Sequence, residues 1–134
     1  MIGIVSSRFN DFITERLVRG CIEELEKEGE GFKVLWVPGA SEIPYGISKL
    51  YQEGNYKGFI AVGCIIKGET KHWEFLANSV ITNIIRFSME KVIPITHAIL
   101  TVDNLEQAIN RSGGKLGNKG REAARALLEL LKLP

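Results

Sequence analysis

The sequence has few cysteines and histidines, no excess of charge of either sign and no long apolar run. Its 134 residues include two cysteines and two histidines, too few for the usual Cys/His zinc spacings. Cys21 and Cys64 lie far apart, and one disulfide between them stays open as an alternative. Because 17 basic residues face 16 acidic ones, the net charge of +1 argues against nucleic acid or an anionic membrane as a partner.

Membrane and targeting segments are also missing from the pattern. The longest apolar stretch, residues 59–66, is far shorter than the ~20 residues that a membrane-spanning helix needs. Residues 1–6 lack the basic region and long apolar run of a signal peptide. We therefore expect a cytoplasmic protein without a membrane segment.

What the sequence does contain is the composition of an ordinary globular domain. Hydrophobic residues make up 45% and charged residues 25%, which excludes a disordered chain. The length predicts a single domain over residues 1–134. A chain of this size buries roughly two-thirds of its unfolded surface, so it can hold a core without disulfides.

Short β-rich runs alternate with longer helical ones along the chain. Apolar spacing predicts strands at residues 2–5, 32–37, 59–66 and 93–100. The order β-α-β-α-β-α-β-α-α predicts right-handed crossovers and a parallel sheet covered on both faces. The predicted fold class is α/β, a three-layer sandwich whose central, four-stranded, mainly parallel sheet is flanked by helices in flavodoxin-like topology.

Local signals predict where the helices begin. Ser41 is placed to cap the second helix, and Pro44 lies in its first turn, where a missing N–H costs little. Asp103 and Glu106 form a capping-box pair that opens a short fourth helix. Residues 112–120 are rich in glycine, and we expect the last helix to follow them.

Ligands of parallel α/β sheets bind beyond the carboxyl ends of the strands, so we expect the site in the loops that follow the strands. In the first loop, a planar heterocycle could stack on Phe9 while Asn10 bonds a polar tail. Packing of Phe9 onto the core is slightly favoured from the residues alone. In the second loop, Glu42 either offsets a helix dipole or accepts hydrogen bonds from ligand hydroxyls.

The third loop combines a strand, a glycine turn and a helix N-terminus, which is typical of an anion site. Gly68 allows close approach of the backbone, and Thr70 offers a hydroxyl and an N–H, so phosphate is a reasonable guest. Glu69 repels an anion unless its side chain points away. Because the helix dipole disfavours a protonated imidazole, we expect His72 to be neutral and able to accept a proton. A surface histidine is the alternative, and the neighbouring anion site favours the catalytic role.

Later segments are less specific. His97 lies inside the fourth strand, where a core or interface histidine is the simpler interpretation. Arg111, Lys115 and Lys119 surround the glycines of residues 112–120, which indicates a second anion contact, a subunit interface or a solvated loop. A receiver domain needs acidic residues after the first strand, and a flavodoxin-type carrier needs a glycine there. Residues 6–10 supply neither.

Five motifs, in this order and spacing, resemble the lumazine synthase family (6,7-dimethyl-8-ribityllumazine synthase) of riboflavin biosynthesis. The resemblance covers nearly the whole chain, and its motifs are residues 8–10, 38–44, 63–72, 101–108 and 117–120. It implies a transferase that condenses 5-amino-6-(D-ribitylamino)pyrimidine-2,4-dione with 3,4-dihydroxy-2-butanone 4-phosphate. Phosphate and water leave, and neither a cofactor nor a metal is implied.

The resemblance also assigns roles to the matching positions, with His72 as the proton shuttle. The pyrimidinedione and its ribityl chain would be bound by Phe9, Asn10, Ala40, Ser41, Glu42, Ile65, Ile66 and His97. The phosphate would be bound by Gly68, Glu69, Thr70, Arg111 and Lys119. His97 stands where the family often has a phenylalanine against the ring.

The resemblance further implies a homopentamer whose site lies between neighbouring subunits, with His97, Arg111 and Lys119 supplied by the neighbour. An icosahedral shell of pentamers and an association with riboflavin synthase stay open. The strongest alternative function is a non-catalytic homologue that binds flavin or lumazine, followed by a purely structural shell protein. His72 together with Arg111 argues against the binder, because binding an unphosphorylated lumazine requires neither.

Overall fold

A computed structural model describes residues 1–69 and 71–134. The strands are β1 (Ile2–Ser7), β2 (Phe32–Val37), β3 (Gly58–Ile66), β4 (Ile95–Val102), β5 (Ser112–Gly114) and β6 (Gly117–Asn118). The helices are α1 (Asp11–Lys27), α2 (Ile43–Glu53), α3 (Trp73–Lys91), α4 (Leu105–Arg111) and α5 (Lys119–Leu130). A single 3-10 turn over Ala40–Glu42 precedes α2. Within the described residues, no helix is long and apolar enough to cross a membrane.

The central sheet has the strand order β2-β1-β3-β4, and all neighbouring strands are parallel. The carboxyl ends of the four strands therefore share one edge, with Ser7 opposite Val37 and Ile65 opposite Thr101. All residues of β3 are buried, because helices cover both of its faces. The predicted α/β sandwich with a flavodoxin-like central sheet is confirmed.

The helices form two layers that we name the closed layer and the open layer. The closed layer contains α1 and α5, whose Leu17 and Leu127 pack on Ile4 and Ile60 of the sheet. The open layer contains α2 and α3 and covers the opposite face. Its core residues include Val5, Ile47, Phe59, Ala61, Val80 and Ile84.

Within the closed layer, α1 and α5 approach each other closely at a glycine. A Cβ atom on Gly120 would lie 2.0 Å from the carbonyl oxygen of Leu17, so only glycine fits there. The thiol of Cys21 donates to the Gly120 carbonyl at 3.2 Å. Cys21 and Cys64 are both free and buried, so the disulfide alternative is wrong. Burial raises the pKa of each thiol to about 12, with a further contribution from Glu69 at Cys64.

A largely buried carboxylate also joins the two helices of the closed layer. Glu24 accepts hydrogen bonds from Arg125 Nε at 2.9 Å and from Arg121 Nη1 at 3.4 Å. Arg121 also pairs with Glu23 at 2.7 Å. The hydrogen bond from Arg125 is the main cause that lowers the pKa of Glu24, and it outweighs the opposing effect of burial.

Two of the predicted helix caps are wrong. Ser41 does not cap α2, because it lies within the 3-10 turn and its hydroxyl donates to the Glu42 carboxylate instead. Helix α4 is not opened by Asp103 with Glu106. Asn104 caps it by accepting from the Gln107 N–H at 2.9 Å, and the Gln107 side chain accepts from the Asp103 N–H at 2.8 Å. The capping pair is therefore shifted by one residue from the prediction.

The segment of residues 112–120 also differs from the prediction, because it is structured. Its glycines form the β5–β6 hairpin, and α5 begins inside the segment, at Lys119. Asn118 caps α5 by accepting from the Arg121 N–H at 3.1 Å, and its amide donates to the Arg16 carbonyl at 3.0 Å. One side chain thus starts a helix and holds it against α1.

Candidate active site

The loop that follows β1 presents an aromatic ring at the carboxyl edge of the sheet. The N–H of Arg8 donates to the Val37 carbonyl at 2.7 Å, and that of Phe9 donates to the Pro38 carbonyl at 3.1 Å. These bonds continue the pairing of β1 with β2 beyond the strands. Phe9 is 61% exposed, so its predicted packing onto the core is wrong.

Asn10 joins this loop to the end of β3. Its backbone is left-handed, with φ at 64°, a conformation that asparagine tolerates better than most residues. Its Nδ2 donates to the Cys64 carbonyl at 3.0 Å and to the Glu69 carboxylate at 3.3 Å. The two loops are therefore held together by a single amide.

A cavity of about 190 Å³ opens between these loops. It is lined by Ser7, Phe9, Ala40, Cys64, Ile65, Ile66, Glu69 and Leu76. The lining is mostly apolar, with a few polar groups among it, as is usual for sites that hold a small organic ligand. Four residues that the family resemblance assigns to the pyrimidinedione therefore meet here: Phe9, Ala40, Ile65 and Ile66.

A larger depression of about 370 Å³ lies beside the first one, against α3. Its lining residues are Ser41, Pro44, His72, Phe75, Leu76, Ser79, Val80 and Asn83. Leu76 lines both spaces, so His72 lies across one side chain from the first cavity. His72 is the N-cap residue of α3 and not part of its first turn, and its carbonyl accepts from the Leu76 N–H at 2.9 Å.

The turn between β3 and α3 is the predicted anion site. Gly68 has φ at +98°, and a Cβ there would meet no atom within 4 Å, so the backbone is open to a ligand. The Glu69 N–H donates to the Ile66 carbonyl at 3.2 Å, and the Glu69 side chain points to Asn10 and the cavity. Thr70 lies outside the described residues. Phosphate binding at this turn stays a prediction.

The second loop places Glu42 beside Gly39. The Oε1 of Glu42 lies 3.1 Å from the position that a Cβ on Gly39 would take. The other carboxylate oxygen accepts from the Ser41 hydroxyl. In the described chain, Glu42 lines neither space, whereas Ser41 reaches the larger one.

Besides Asn10, Glu42 and Gly68, three more predicted site residues line neither space in the described part of the chain: His97, Arg111 and Lys119. His97 lies on the edge strand β4, where partial burial lowers its pKa and favours the neutral imidazole. Arg111 ends α4 and donates to the Gln107 carbonyl at 3.2 Å. Lys119 pairs with Glu122 at 3.3 Å.

Sequence reasoning missed several residues that line the spaces, among them Ser7 and Leu76. Leu76 lies one helical turn after His72, so the i, i+4 spacing could have found it. Ser7 is the last residue of β1, and its position at a strand end could have drawn attention to it.

Comparisons with known proteins agree with one another. The family model described as 6,7-dimethyl-8-ribityllumazine synthase matches residues 1–134. Proteins of that name from Pediococcus pentosaceus and Nitratidesulfovibrio vulgaris are each 42% identical to this chain, over 135 and 134 residues. The protein of that name from Leuconostoc mesenteroides is 43% identical over 135 residues. In each case the match covers 98% of this chain and 86% of the relative.

Proposed function

Because the chain belongs to the 6,7-dimethyl-8-ribityllumazine synthase family, we propose that it is the transferase that forms this lumazine in riboflavin biosynthesis. Its substrates are 5-amino-6-(D-ribitylamino)pyrimidine-2,4-dione and 3,4-dihydroxy-2-butanone 4-phosphate, and phosphate and water are released. Beyond the family match, the observation that carries the proposal is the apolar cavity that meets the His72 depression at Leu76.

In this proposal the pyrimidinedione occupies the smaller cavity. Phe9 stacks on one face of the ring, since an exposed aromatic ring at a cavity wall offers its flat surface. Ala40, Ile65 and Ile66 contact the remaining ring atoms and edges. Asn10 and Glu42 hold the hydroxyls of the ribityl chain. The amide of Asn10 is already ordered by its bonds to Cys64 and Glu69, which reduces the entropy lost on binding.

The phosphate of the second substrate binds at the N-terminal end of α3. The open backbone at Gly68 and the positive end of the helix dipole favour an anion there. Glu69 and Thr70 contribute through their backbones, and Thr70 also through its hydroxyl. Arg111 neutralises charge on the phosphate, assisted by Lys119.

The chemistry needs proton transfer at each step, because an amine attacks a ketone, phosphate is eliminated and a ring closes. His72 takes and returns these protons at the boundary between the two spaces. One well-placed imidazole contributes a factor of roughly 10²–10⁴ in rate. Holding two reactants in contact supplies a further large factor, so a site with few catalytic side chains is sufficient.

We further propose that the single domain assembles as a cytoplasmic homopentamer, in which a neighbour brings His97, Arg111 and Lys119 to the site. Two observations support assembly. The three residues do not line the described cavities of their own chain. Helix α3 also exposes large apolar side chains, among them Phe75 at 75% and Met89 at 72%. We extend this proposal to the assembly of pentamers into an icosahedral shell and to an association with riboflavin synthase.

A mixing assay tests the function. Purified protein is added to both substrates, and the lumazine chromophore is followed by absorbance against a blank without protein. We expect the absorbance of the lumazine to rise faster than in the blank. We also expect the Arg111→Ala variant to need a higher concentration of the phosphorylated ketone to reach the same rate. Arg19→Ala, an exposed arginine on α1, is the matched control and keeps the ordinary requirement.

The outcomes of this assay separate the functions. If Arg111→Ala needs no more of the phosphorylated ketone than the wild type, the phosphate does not bind at Arg111. If the absorbance does not rise above the blank and the protein binds lumazine or flavin tightly, the protein is a non-catalytic binding protein and not the enzyme.

A further inference from the structure

Ser7, the last residue of β1, carries a buried hydroxyl that the proposed function does not use. The residue is 1% exposed. Among the described residues, its Oγ has no hydrogen-bond partner. Burying a hydroxyl without a partner costs free energy, and most buried polar atoms are therefore paired. Because no described residue supplies this atom with a partner, a bound ligand is a candidate for that role.

The position of Ser7 indicates where that partner binds. Ser7 lines the smaller cavity together with Phe9, Ala40 and Ile65. The only carboxylate in the described lining is that of Glu69, which accepts a hydrogen bond from Asn10. Ser7 thus belongs to a largely apolar lining, and its hydroxyl has no hydrogen-bond partner among residues 1–69 and 71–134.

The neighbouring strand leaves space beside this hydroxyl. Gly63 on β3 has no side chain, and a Cβ there would lie 3.5 Å from Ser7 Oγ. The same Cβ would lie 3.3 Å from Cδ1 of Ile43 and 3.6 Å from Cγ2 of Ile99, which are apolar atoms. At 3.5 Å, such a Cβ would be in ordinary van der Waals contact with the hydroxyl. Glycine at this position therefore leaves a space of about one methyl group beside the hydroxyl.

We propose that Ser7 is a further substrate-binding residue, whose hydroxyl forms a hydrogen bond with a carbonyl or N–H on the edge of the heterocycle. This assignment rests on the proposed function. A serine hydroxyl both donates and accepts, so it can match either edge group. The ring edge is favoured over the ribityl chain because the apolar walls suit the flat faces of a ring, whereas a polyol would leave hydroxyls unpaired against them.

A buried water is the competing partner for this hydroxyl. The cavity of about 190 Å³ is many times larger than the ~10–15 Å³ that a cavity needs to hold one water. A single water would leave most of the slot empty. A flat ring fills the slot and brings a polar edge to the hydroxyl at the same time.

The test is a calorimetric titration of the protein with 6,7-dimethyl-8-ribityllumazine, which measures the affinity for this lumazine. We expect Ser7→Ala to bind the lumazine about threefold to tenfold more weakly, as loss of one neutral hydrogen bond predicts. Thr14→Val is the matched control. Thr14 on α1 is also fully buried, and its hydroxyl also lacks a partner among the described residues, but Thr14 is not a lining residue of the cavity.

Both variants remove an unpaired buried hydroxyl, so neither is expected to lower the thermal midpoint of the free protein. If Ser7→Ala does not fold, Ser7→Cys serves in its place, because it keeps a small side chain with a weak donor and should also weaken binding. Equal affinity of the wild type and the Ser7 variants would overturn the proposal, as would an equal loss in Thr14→Val.

The same titration distinguishes this proposal from the function on which it rests. Wild-type protein that neither binds lumazine nor forms it in the mixing assay would overturn both. Wild-type protein that forms lumazine, with unchanged affinity in Ser7→Ala, would overturn the Ser7 assignment alone and leave the enzyme in place.

Discussion

The two helical layers of the sandwich differ in how completely they are covered. In the closed layer, the 17-residue helix α1 buries eight residues and touches the backbone of α5 at Gly120. In the open layer, α3 is longer, with 19 residues, yet it buries only Ala77, Val80 and Ile84 in the described chain. The open layer also leaves Phe75 and Met89 largely exposed.

From this difference we expect stability to depend mainly on the closed layer and activity to depend mainly on the open layer. The closed layer is held by contacts within the chain, such as the bonds from Arg121 and Arg125 to Glu24. The open layer leaves apolar surface exposed, and its helix α3 borders both depressions through Leu76. A substitution in one layer should therefore spare the property that depends on the other.

The largest expected effect is on turnover, from a change in the open layer. His72→Ala should lower the rate of lumazine formation by roughly 10²–10⁴-fold, because a proton-transfer group is lost. Affinity for the pyrimidinedione and the thermal midpoint should stay nearly the same. The checks are steady-state kinetics, titration and a thermal scan on one preparation. Unchanged turnover would remove His72 from the mechanism.

The next effect is on stability, from a change in the closed layer. Gly120→Ala would place a methyl group 2.0 Å from the Leu17 carbonyl oxygen and push α1 from α5. We expect the free energy of unfolding to fall by about 3 kcal/mol, the upper part of the overpacking range, as measured by urea denaturation. The control is Gly31→Ala, where a Cβ meets nothing within 4 Å. Equal unfolding free energies of the two variants would refute the close contact.

A smaller effect concerns the pH dependence of the closed layer. The pKa of Glu24 is lowered below its ordinary value of 4.5, so its ion pairs stabilise the fold above that pH. This contribution is lost as the pH falls through the lowered pKa. Glu24→Gln should be less stable than the wild type by roughly 1.5 kcal/mol at pH 7, and the difference should vanish in acid.

Urea denaturation at several pH values measures this difference. Glu26→Gln, an exposed glutamate on the same helix, is the control and should follow the wild type throughout. A difference that persists unchanged at low pH would show that charge is not its cause.

The smallest effect on folding is expected on the exposed face of α3. Met89→Ser should change the free energy of unfolding by less than about 0.5 kcal/mol, because Met89 is 72% exposed. It should, however, shift the protein to smaller assemblies if this face is shared between copies. Light scattering with size-exclusion chromatography measures the mass. Leu133→Ser, which changes another exposed apolar residue, is the control, and equal masses for both variants would contradict a role of α3 in assembly.

Much of the fold could be predicted because its signals are short-range. The apolar run of β3 predicts a strand buried on both faces, and the structure confirms it. The cap predicted at Asp103 was wrong by one residue, because neighbouring polar residues compete for the same helix end. The backbone conformation decides between them: Asn104 is extended, and its side chain meets the Gln107 N–H.

The candidate site could be predicted in outline and not in detail. The rule that ligands bind at the carboxyl ends of parallel strands is sufficient to select Phe9, Ala40 and Ile65. It cannot reveal that Asn10 reaches Glu69, because 59 residues separate them in the chain. Nor can it reveal that the hydroxyl of Ser7 is left without a partner in the described structure.

The sequence by itself determined the order of helices and strands, the parallel sheet, and the sheet edge at which the loops with the candidate site residues lie. Periodicity and turn chemistry act over a few residues, so they are readable in a linear chain. The tertiary structure alone decided that α1 is covered by α5, that α3 stays open and that Leu76 stands between His72 and the cavity. These relations depend on distances between segments far apart in the chain, and packing of the two layers on the sheet sets those distances.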